Sequence, residues 1–328
     1  MSEPILKVRG LCKYFPINSK GFLKKQIGIV RASDQIDIDL MPGETLGLVG
    51  ESGCGKTTTG RSILRAITPT SGEVLFKTSS GDYVDLAKLP EKDLKALRTE
   101  LQMIFQDPFS SLNPRMTVGK IVEEPLVIHK IGTAKEREWK VEEMLQKVGL
   151  KPEHKTRYPH AFSGGQRQRI GIARALIMNP KLVICDEAVS ALDVSVQAQV
   201  INLLRKLQDE LGLTYIFIAH DLSVVKHICD RIAVMYAGRI VELGESDDLF
   251  NNPLHPYTKA LLSAVPNPDP DVPMQVLLSG DVADPGNLPP GCAFEPRCRV
   301  SLECCKSEKP FLKKLVDENR EVSCFLMD

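Results

Sequence analysis

The stretch Gly50-Glu51-Ser52-Gly53-Cys54-Gly55-Lys56-Thr57 constrains this chain more than any other feature. It fits G-x-x-x-x-G-K-[ST], and its surroundings are those the pattern requires. ETLGLVG, from Glu44 to Gly50, is a short apolar run ending in glycine, and ESGCGKTTTGRSILRAI reads as a loop opening into a helix. A strand, loop and helix in that order predict a phosphate cradle. The glycines let backbone N–H groups converge on phosphates at a helix N-terminus, Lys56 supplies charge to the β and γ groups, and the Thr57 hydroxyl is placed for magnesium. The ligand expected is a nucleoside triphosphate. Cys54, beside Lys56, reads equally as an activated thiol or as a packed, inert one.

Further along, LVICDE (Leu182 to Glu187) and TYIFIAH (Thr214 to His220) are compact apolar runs that end at polar residues. Such runs suit central strands of a parallel sheet covered on both faces. Between them Val196, Val200, Leu203, Leu204, Leu207 and Leu211 recur at helical spacing, with Gly212 as the stop, which makes a parallel crossover. VRASDQIDIDL and GEVLFKTSSGDYVDL alternate and predict an antiparallel layer beside the nucleotide site. The stretch from Asp107 to Phe162 is helical in pattern and reads as an inserted subdomain. After Val265, PNPDPDVP cannot form a helix or a central strand and marks a boundary. The expected fold is therefore α/β of the P-loop type, with a mixed, mainly parallel core sheet, an antiparallel β layer and an inserted helical subdomain at about 107–170. Residues 1–265 form the nucleotide-binding domain, and 266–328 form a small C-terminal extension.

Charge narrows the partners. Lysine plus arginine equals aspartate plus glutamate at 42 each, so no overall field recommends nucleic acid. The N-terminus lacks the apolar core of a signal peptide, and no segment approaches the roughly 18 to 20 apolar residues that span a bilayer. A soluble, unsecreted chain is expected. In that setting the nine cysteines read as buried, reactive or metal-binding rather than disulfide-bonded.

Phe162-Ser163-Gly164-Gly165-Gln166 resembles the signature sequence of ATP-binding-cassette (ABC) proteins, with phenylalanine where leucine is commonest. The resemblance implies two cassettes head to tail, with Ser163, Gly164, Gly165 and Gln166 serving the γ-phosphate held by the opposite subunit. Leu182-Val183-Ile184-Cys185-Asp186-Glu187 resembles the Walker B strand, which makes Asp186 a magnesium holder and Glu187 the residue that orients or deprotonates the attacking water. Gln106 matches the Q-loop, a further contact to magnesium or the attacking water, and His220 the switch histidine that reaches the γ-phosphate. Asp193, in Ser190-Ala191-Leu192-Asp193, matches the loop that communicates across the dimer. The implied ATP-binding set is Phe15, Gly50, Ser52, Gly53, Cys54, Gly55, Lys56, Thr57 and Thr58. Phe15 is chosen over Tyr14 as the ring that stacks on adenine.

The match goes beyond generic motifs. Asp193-Val194-Ser195-Val196-Gln197-Ala198-Gln199, Val225-Lys226-His227-Ile228 and Asn252-Pro253-Leu254-His255-Pro256-Tyr257-Thr258 resemble the oligopeptide and dipeptide permease ATPases, and Tyr158-Pro159-His160 looks most like their F-type subunits. Ala188 departs from the proline that many relatives carry after the catalytic glutamate. The resemblance implies the motor of a peptide importer on the cytoplasmic face of the inner membrane. Its implied partners are a D-type ATPase, two transmembrane permease subunits and an extracytoplasmic peptide-binding protein. Import of another solute such as nickel and a soluble regulatory ATPase are the alternatives. Cys292, Cys298, Cys305 and Cys324 resemble the C-terminal cysteine set of these ATPases, some of which hold a [4Fe–4S] cluster there. Cys305 keeps the family's spacing after Cys298 better than Cys304 does. Thiolate softness leaves iron–sulfur and zinc undecided, and reduced structural thiols are the third reading.

Overall fold

The alternation Ile36, Asp37, Ile38, Asp39, Leu40 turns the isoleucines and the leucine into the core and leaves the aspartates toward solvent, so this stretch forms a strand with one wet face. The computed structural model describes residues 3–19, 26–264, 283–315 and 319–327. In chain order the elements run β1 (Leu6–Asn18), β2 (Gln26–Leu40), β3 (Thr45–Val49), α1 (Lys56–Ile63), β4 (Ser71–Lys77), β5 (Tyr83–Asp85), α2 (Glu91–Leu97) and β6 (Leu101–Ile104). The helical region follows with α3 (Val118–Ile128), α4 (Ala134–Lys147) and α5 (Gly164–Leu176). Then come β7 (Leu182–Asp186), α6 (Val194–Leu211), β8 (Thr214–Ala219), α7 (Leu222–Ile228), β9 (Arg231–Tyr236), β10 (Arg239–Glu245), α8 (Ser246–Asn251) and α9 (Pro256–Ser263). Two short strands, β11 (Lys313–Lys314) and β12 (Glu321–Val322), close the chain.

Among the described residues these strands form two sheets, β2-β1-β4-β5 and β11-β12-β10-β9-β3-β8-β7-β6. The first is antiparallel. In the second, β9, β3, β8, β7 and β6 run parallel, and β10, β12 and β11 add an antiparallel edge. Every residue of β3, β7 and β8 is buried, as expected where both faces are covered. Alternate side chains divide between two cores. Val183, Cys185, Tyr215 and Phe217 pack with Ile170, Val200 and Leu204 of the helices. Leu182, Ile184, Ile216 and Ile218 pack instead with Leu6, Val8, Ile36 and Phe76 of the antiparallel layer.

Helix α6 buries Val200, Ile201, Leu203, Leu204 and Leu207 and stops at Gly212, whose φ of 64° suits glycine. Thr133 begins α4 with a capping box to Glu136. The inserted region is helical as expected, although its sequence-based end near 170 falls inside the continuous helix α5, which reaches back to β6.

The boundary read after Val265 lies outside the described residues. The described residues beyond it, 283–315 and 319–327, pack onto the cassette. β12 pairs with β10, Phe294 sits 5.3 Å and 5.4 Å from the Tyr236 and Tyr257 rings, and Arg320 forms a buried ion pair with Glu242. Glu242 also accepts from the backbone N–H groups of Leu254 and His255, so its charge is met on several sides. His255 caps α9 by accepting the Tyr257 N–H at Nδ1, and burial lowers its pKa from 6.5 to about 4. The unfolded chain therefore takes up a proton between those pH values that the folded chain refuses. Stability is expected to be full above about pH 6.5 and to fall by roughly 1.4 kcal/mol per unit as the pH drops toward about 4. Denaturant titrations across that range should show a shallower decline for His255→Asn, which keeps a capping acceptor without the titration; an identical decline would assign the effect to other groups.

Candidate active site

β3 ends at Val49 in the sheet centre, and the chain then turns sharply through Gly50–Gly55 into α1. Two of the glycines are obligatory on steric grounds. Gly50 has φ 149°, and a Cβ there would lie 2.2 Å from the Met235 carbonyl oxygen; Gly55 has φ 109°, and its Cβ would lie 1.8 Å from the Ala32 carbonyl oxygen. Ser52 and Gly53 are exposed on the loop. No side chain caps α1 and no acidic residue occupies its first turn, so the helix presents its positive end to the loop. Lys56 bends back over it, its Nζ donating to the Gly50 and Glu51 carbonyls at 2.8 Å and 3.0 Å. Thr58 is half-buried in α1. Cys54 is buried, and burial pushes its thiol up despite Lys56, so the packed reading of this cysteine holds.

Asp186 closes β7 and accepts from the Thr57 hydroxyl at 2.7 Å, with the Arg61 guanidinium 3.5 Å away. Burial raises the Asp186 carboxyl above the usual range, outweighing both partners. Glu187 follows with φ 48°, and its N–H donates to Ile218 of β8 at 3.0 Å. Its Oε2 accepts from Gln106 Nε2 at 2.7 Å and stands 3.5 Å from His220 Nδ1. Three neighbouring strands, β6, β7 and β8, thus deliver Gln106, Glu187 and His220 to one point.

Ser163 caps α5, accepting from the Gln166 N–H at 3.4 Å while the Gln166 side chain accepts from the Ser163 N–H at 3.1 Å. A Cβ at Gly165 would lie 2.4 Å from Val196 Cγ1, and Gly164 faces Leu192. Ser163 and Gln166 are exposed, and among the described residues no hydrogen bond or ion pair joins this turn to Lys56, Asp186 or Glu187. Asp193 begins α6, exposed and with no side-chain cap bond. Of the two aromatics on β1, Tyr14 is tied to Asp34 by its hydroxyl at 2.5 Å, whereas Phe15 is 38% exposed with Lys13 Nζ 4.9 Å from its ring centre.

Cys292, Cys298, Cys305 and Cys324 line one small apolar cavity with Phe294 and Val300, and Cys304 is not among its walls. Burial pushes the Cys292 thiol up to about 11. Among the described residues no group of three or more His, Cys, Asp or Glu is arranged to hold a metal ion. The four cysteines of the expected iron–sulfur set are therefore gathered around one cavity, without an arrangement of three or more ligands for an ion among the described residues.

Sequence reasoning missed two partners. Arg61 reaches Asp186 from the next turn of α1, and Arg297 grips Glu51 of the phosphate loop. The first is one helical turn beyond Thr57 and was legible; the second is 246 positions from its partner and carried no local signal.

A family model for the ABC transporter matches residues 33–190, and one for the oligopeptide/dipeptide transporter C-terminal region matches residues 241–305. The oligopeptide transport ATP-binding protein AppF of Bacillus subtilis (strain 168) is 52% identical over 99% of this chain and 98% of its own length. The chain belongs to the ABC transporter ATP-binding family, in its oligopeptide/dipeptide branch. A probable peptide ABC transporter ATP-binding protein of Sinorhizobium fredii, y4tS, is 50% identical over 99% of this chain and 90% of its own length. Among solved structures, the dimeric post-hydrolysis state of the cassette MJ0796 bound to ADP and Pi matches at TM-score 0.63 and 28% identity, covering 74% of this chain and 98% of that one. Another, the cassette cbiO1 of Clostridium perfringens, matches at TM-score 0.64 and 29% identity, covering 76% and 92%. ATP hydrolysis is the general property of these cassettes. In this ABC cassette, Gly55→Ala is expected to weaken nucleotide binding by at least about fivefold, since strained backbone of this kind costs about 1–3 kcal/mol. Equilibrium binding of MgATP measures it, and wild-type affinity in the variant would show that the loop yields.

Proposed function

We propose that this chain is the ATP-driven motor of a peptide importer, working at the membrane as one of a pair of cassettes. The observation that carries the reading is the near-complete correspondence with oligopeptide transport ATP-binding proteins, which extends into the C-terminal region. Within the chain, Gly50, Ser52, Gly53, Cys54, Gly55, Lys56, Thr57 and Thr58 form the cradle for the triphosphate. Phe15 offers its open face to adenine. Thr57 and Asp186 present hard oxygen donors, and the raised carboxyl of Asp186 marks a buried charge that a cation would compensate, so Mg2+ fits there with Gln106 nearby. When bound, that ion neutralises charge developing on the β and γ phosphates.

Glu187 takes the proton of the attacking water on its carboxylate as the water oxygen bonds to the γ-phosphorus and the bond to ADP breaks. Gln106 and His220, already turned to the same Oε2, hold that carboxylate in place. Ser163 and Gln166 stand exposed on the turn that also carries Gly164 and Gly165, apart from this chain's own cradle, which supports the use of all four by the opposite subunit, with Asp193 communicating across the interface. Closure of two cassettes then moves the helical subdomain at about 107–170 and the permease subunits docked on it.

The likeness to peptide import ATP-binding proteins supports a peripheral location on the cytoplasmic face of the inner membrane, and no described helix is long and apolar enough to cross a membrane. The proposed partners are two transmembrane subunits, a D-type ATPase and an extracytoplasmic peptide-binding protein. The division into residues 1–265 and 266–328 is kept as a division of roles, since the described residues of the later part pack closely on the earlier. A [4Fe–4S] cluster on Cys292, Cys298, Cys305 and Cys324 is supported by the resemblance of their spacing and by their shared cavity; no catalytic step passes through it.

Glu187→Gln is expected to lower ATP turnover by roughly a hundredfold or more while retaining ATP binding. In cells lacking the native gene, wild-type protein should restore labelled-peptide uptake and this variant should not. Unchanged turnover would remove Glu187 as the base, and restored uptake of another solute without peptide would remove peptide as cargo. Anaerobically purified protein should be coloured and contain iron; colourless, metal-free, folded protein would eliminate the cluster.

A further inference from the structure

Glu51 is the acidic residue of the phosphate loop, and it is held at three points. Its N–H donates to the Tyr257 hydroxyl at 2.9 Å, its carbonyl accepts from Lys56 Nζ at 3.0 Å, and its carboxylate accepts both arms of Arg297 at 2.7 Å and 3.0 Å. The Arg297 side chain is 6% exposed. Its guanidinium lies over the Tyr236 and Phe294 rings, 5.8 Å and 6.0 Å from their centres. Its backbone belongs to a tight turn, Glu295–Arg297, fixed by the Glu295 N–H to the Cys292 carbonyl and by the Cys298 N–H to the Glu295 carbonyl, both at 3.0 Å. The C-terminal segment thus delivers one buried cation to the loop that cradles phosphate.

A carboxylate in a phosphate loop is an electrostatic liability. Left bare, Glu51 would repel the triphosphate and compete with it for Lys56, one residue class being drawn to the other across the same loop. A two-pronged guanidinium cancels that charge and fixes the loop's direction at once, which a flexible lysine does less well.

We propose that Arg297 is a positioning residue of the nucleotide site, acting through Glu51, so that the C-terminal segment is a working part of ATP binding. The proposal rests on the ATP-site reading of the loop. Arg297 touches no substrate; it holds Glu51 away from the triphosphate and leaves Lys56 available.

The test uses the full-length chain as wild type, Arg297→Ala, Arg297→Lys, Glu51→Gln and the Arg297→Ala/Glu51→Gln pair. Affinity for a non-hydrolysable ATP analogue with Mg2+, KM for ATP, kcat and thermal midpoint are measured for each. Arg297→Ala is expected to weaken binding roughly ten- to a hundredfold, as displaced positioning groups do, and to raise KM while kcat at saturation stays within about threefold. Adding Glu51→Gln should restore most of the lost affinity, because the bare carboxylate is then gone. Arg297→Lys, which keeps the charge but not the fork, should fall between wild type and Arg297→Ala. Wild-type affinity in Arg297→Ala overturns the proposal, as does a double variant whose losses simply add. Should Arg297→Ala fail to fold, wild-type affinity in Arg297→Lys overturns it and an intermediate affinity supports it. A wild-type chain that binds no nucleotide overturns the ATP-site reading itself, and this proposal with it.

Discussion

The parallel register of β3, β8, β7 and β6 is the constraint on which the rest of the structure depends. Val49 pairs with Ala219, Asp186 with Ile218 and Ile104 with Cys185, so the four strands end almost level. Because parallel strands all point one way, the residues that follow them emerge along a single edge. Gly50, Gln106, Glu187 and His220 are neighbours for that reason alone. The sheet can hold this register because both faces are buried, and a slip of one residue would exchange the helix-facing side chains with those facing the antiparallel layer.

The edge so formed is electrostatically unfinished. Lys56 is turned onto backbone carbonyls, Asp186 is held above the usual carboxylate range by burial, and α1 presents uncapped N–H groups. Each of these is relieved by a phosphate or a divalent cation, and none is relieved by further folding. The strained φ of Glu187 and the glycines at Gly50 and Gly55 lie on the same edge. These groups gather where ligand binding returns free energy, while the paired buried charges elsewhere, such as Arg320 with Glu242, serve packing.

How much could be read beforehand followed the range of each interaction. Helix α6 and its end at Gly212 and the buried strands β7 and β8 were legible, since each is set by residues within a few positions. The phosphate loop, the carboxylates and the histidine were legible by their motifs. The close packing of the C-terminal segment was not, because Phe294 on Tyr236 and Tyr257, or β12 on β10, depends on the whole chain closing. The thiols mark another limit: their spacing resembles a metal-binding set, and the fold gathers all four around one apolar cavity, with no group of three or more metal-binding side chains arranged for an ion among the described residues.

The sequence by itself determined the strands, the helices and the chemical groups at their ends, because hydrophobic period, glycine freedom and capping are local properties of a chain. Tertiary structure alone decided which of those groups meet: that Gln106 and His220 turn to one oxygen of Glu187, that Phe15 is open while Tyr14 is tied, and that Arg297 reaches Glu51. Such meetings require loops of up to hundreds of residues to close, at an entropic cost that only the packed core as a whole offsets. No stretch of sequence read alone contains that sum.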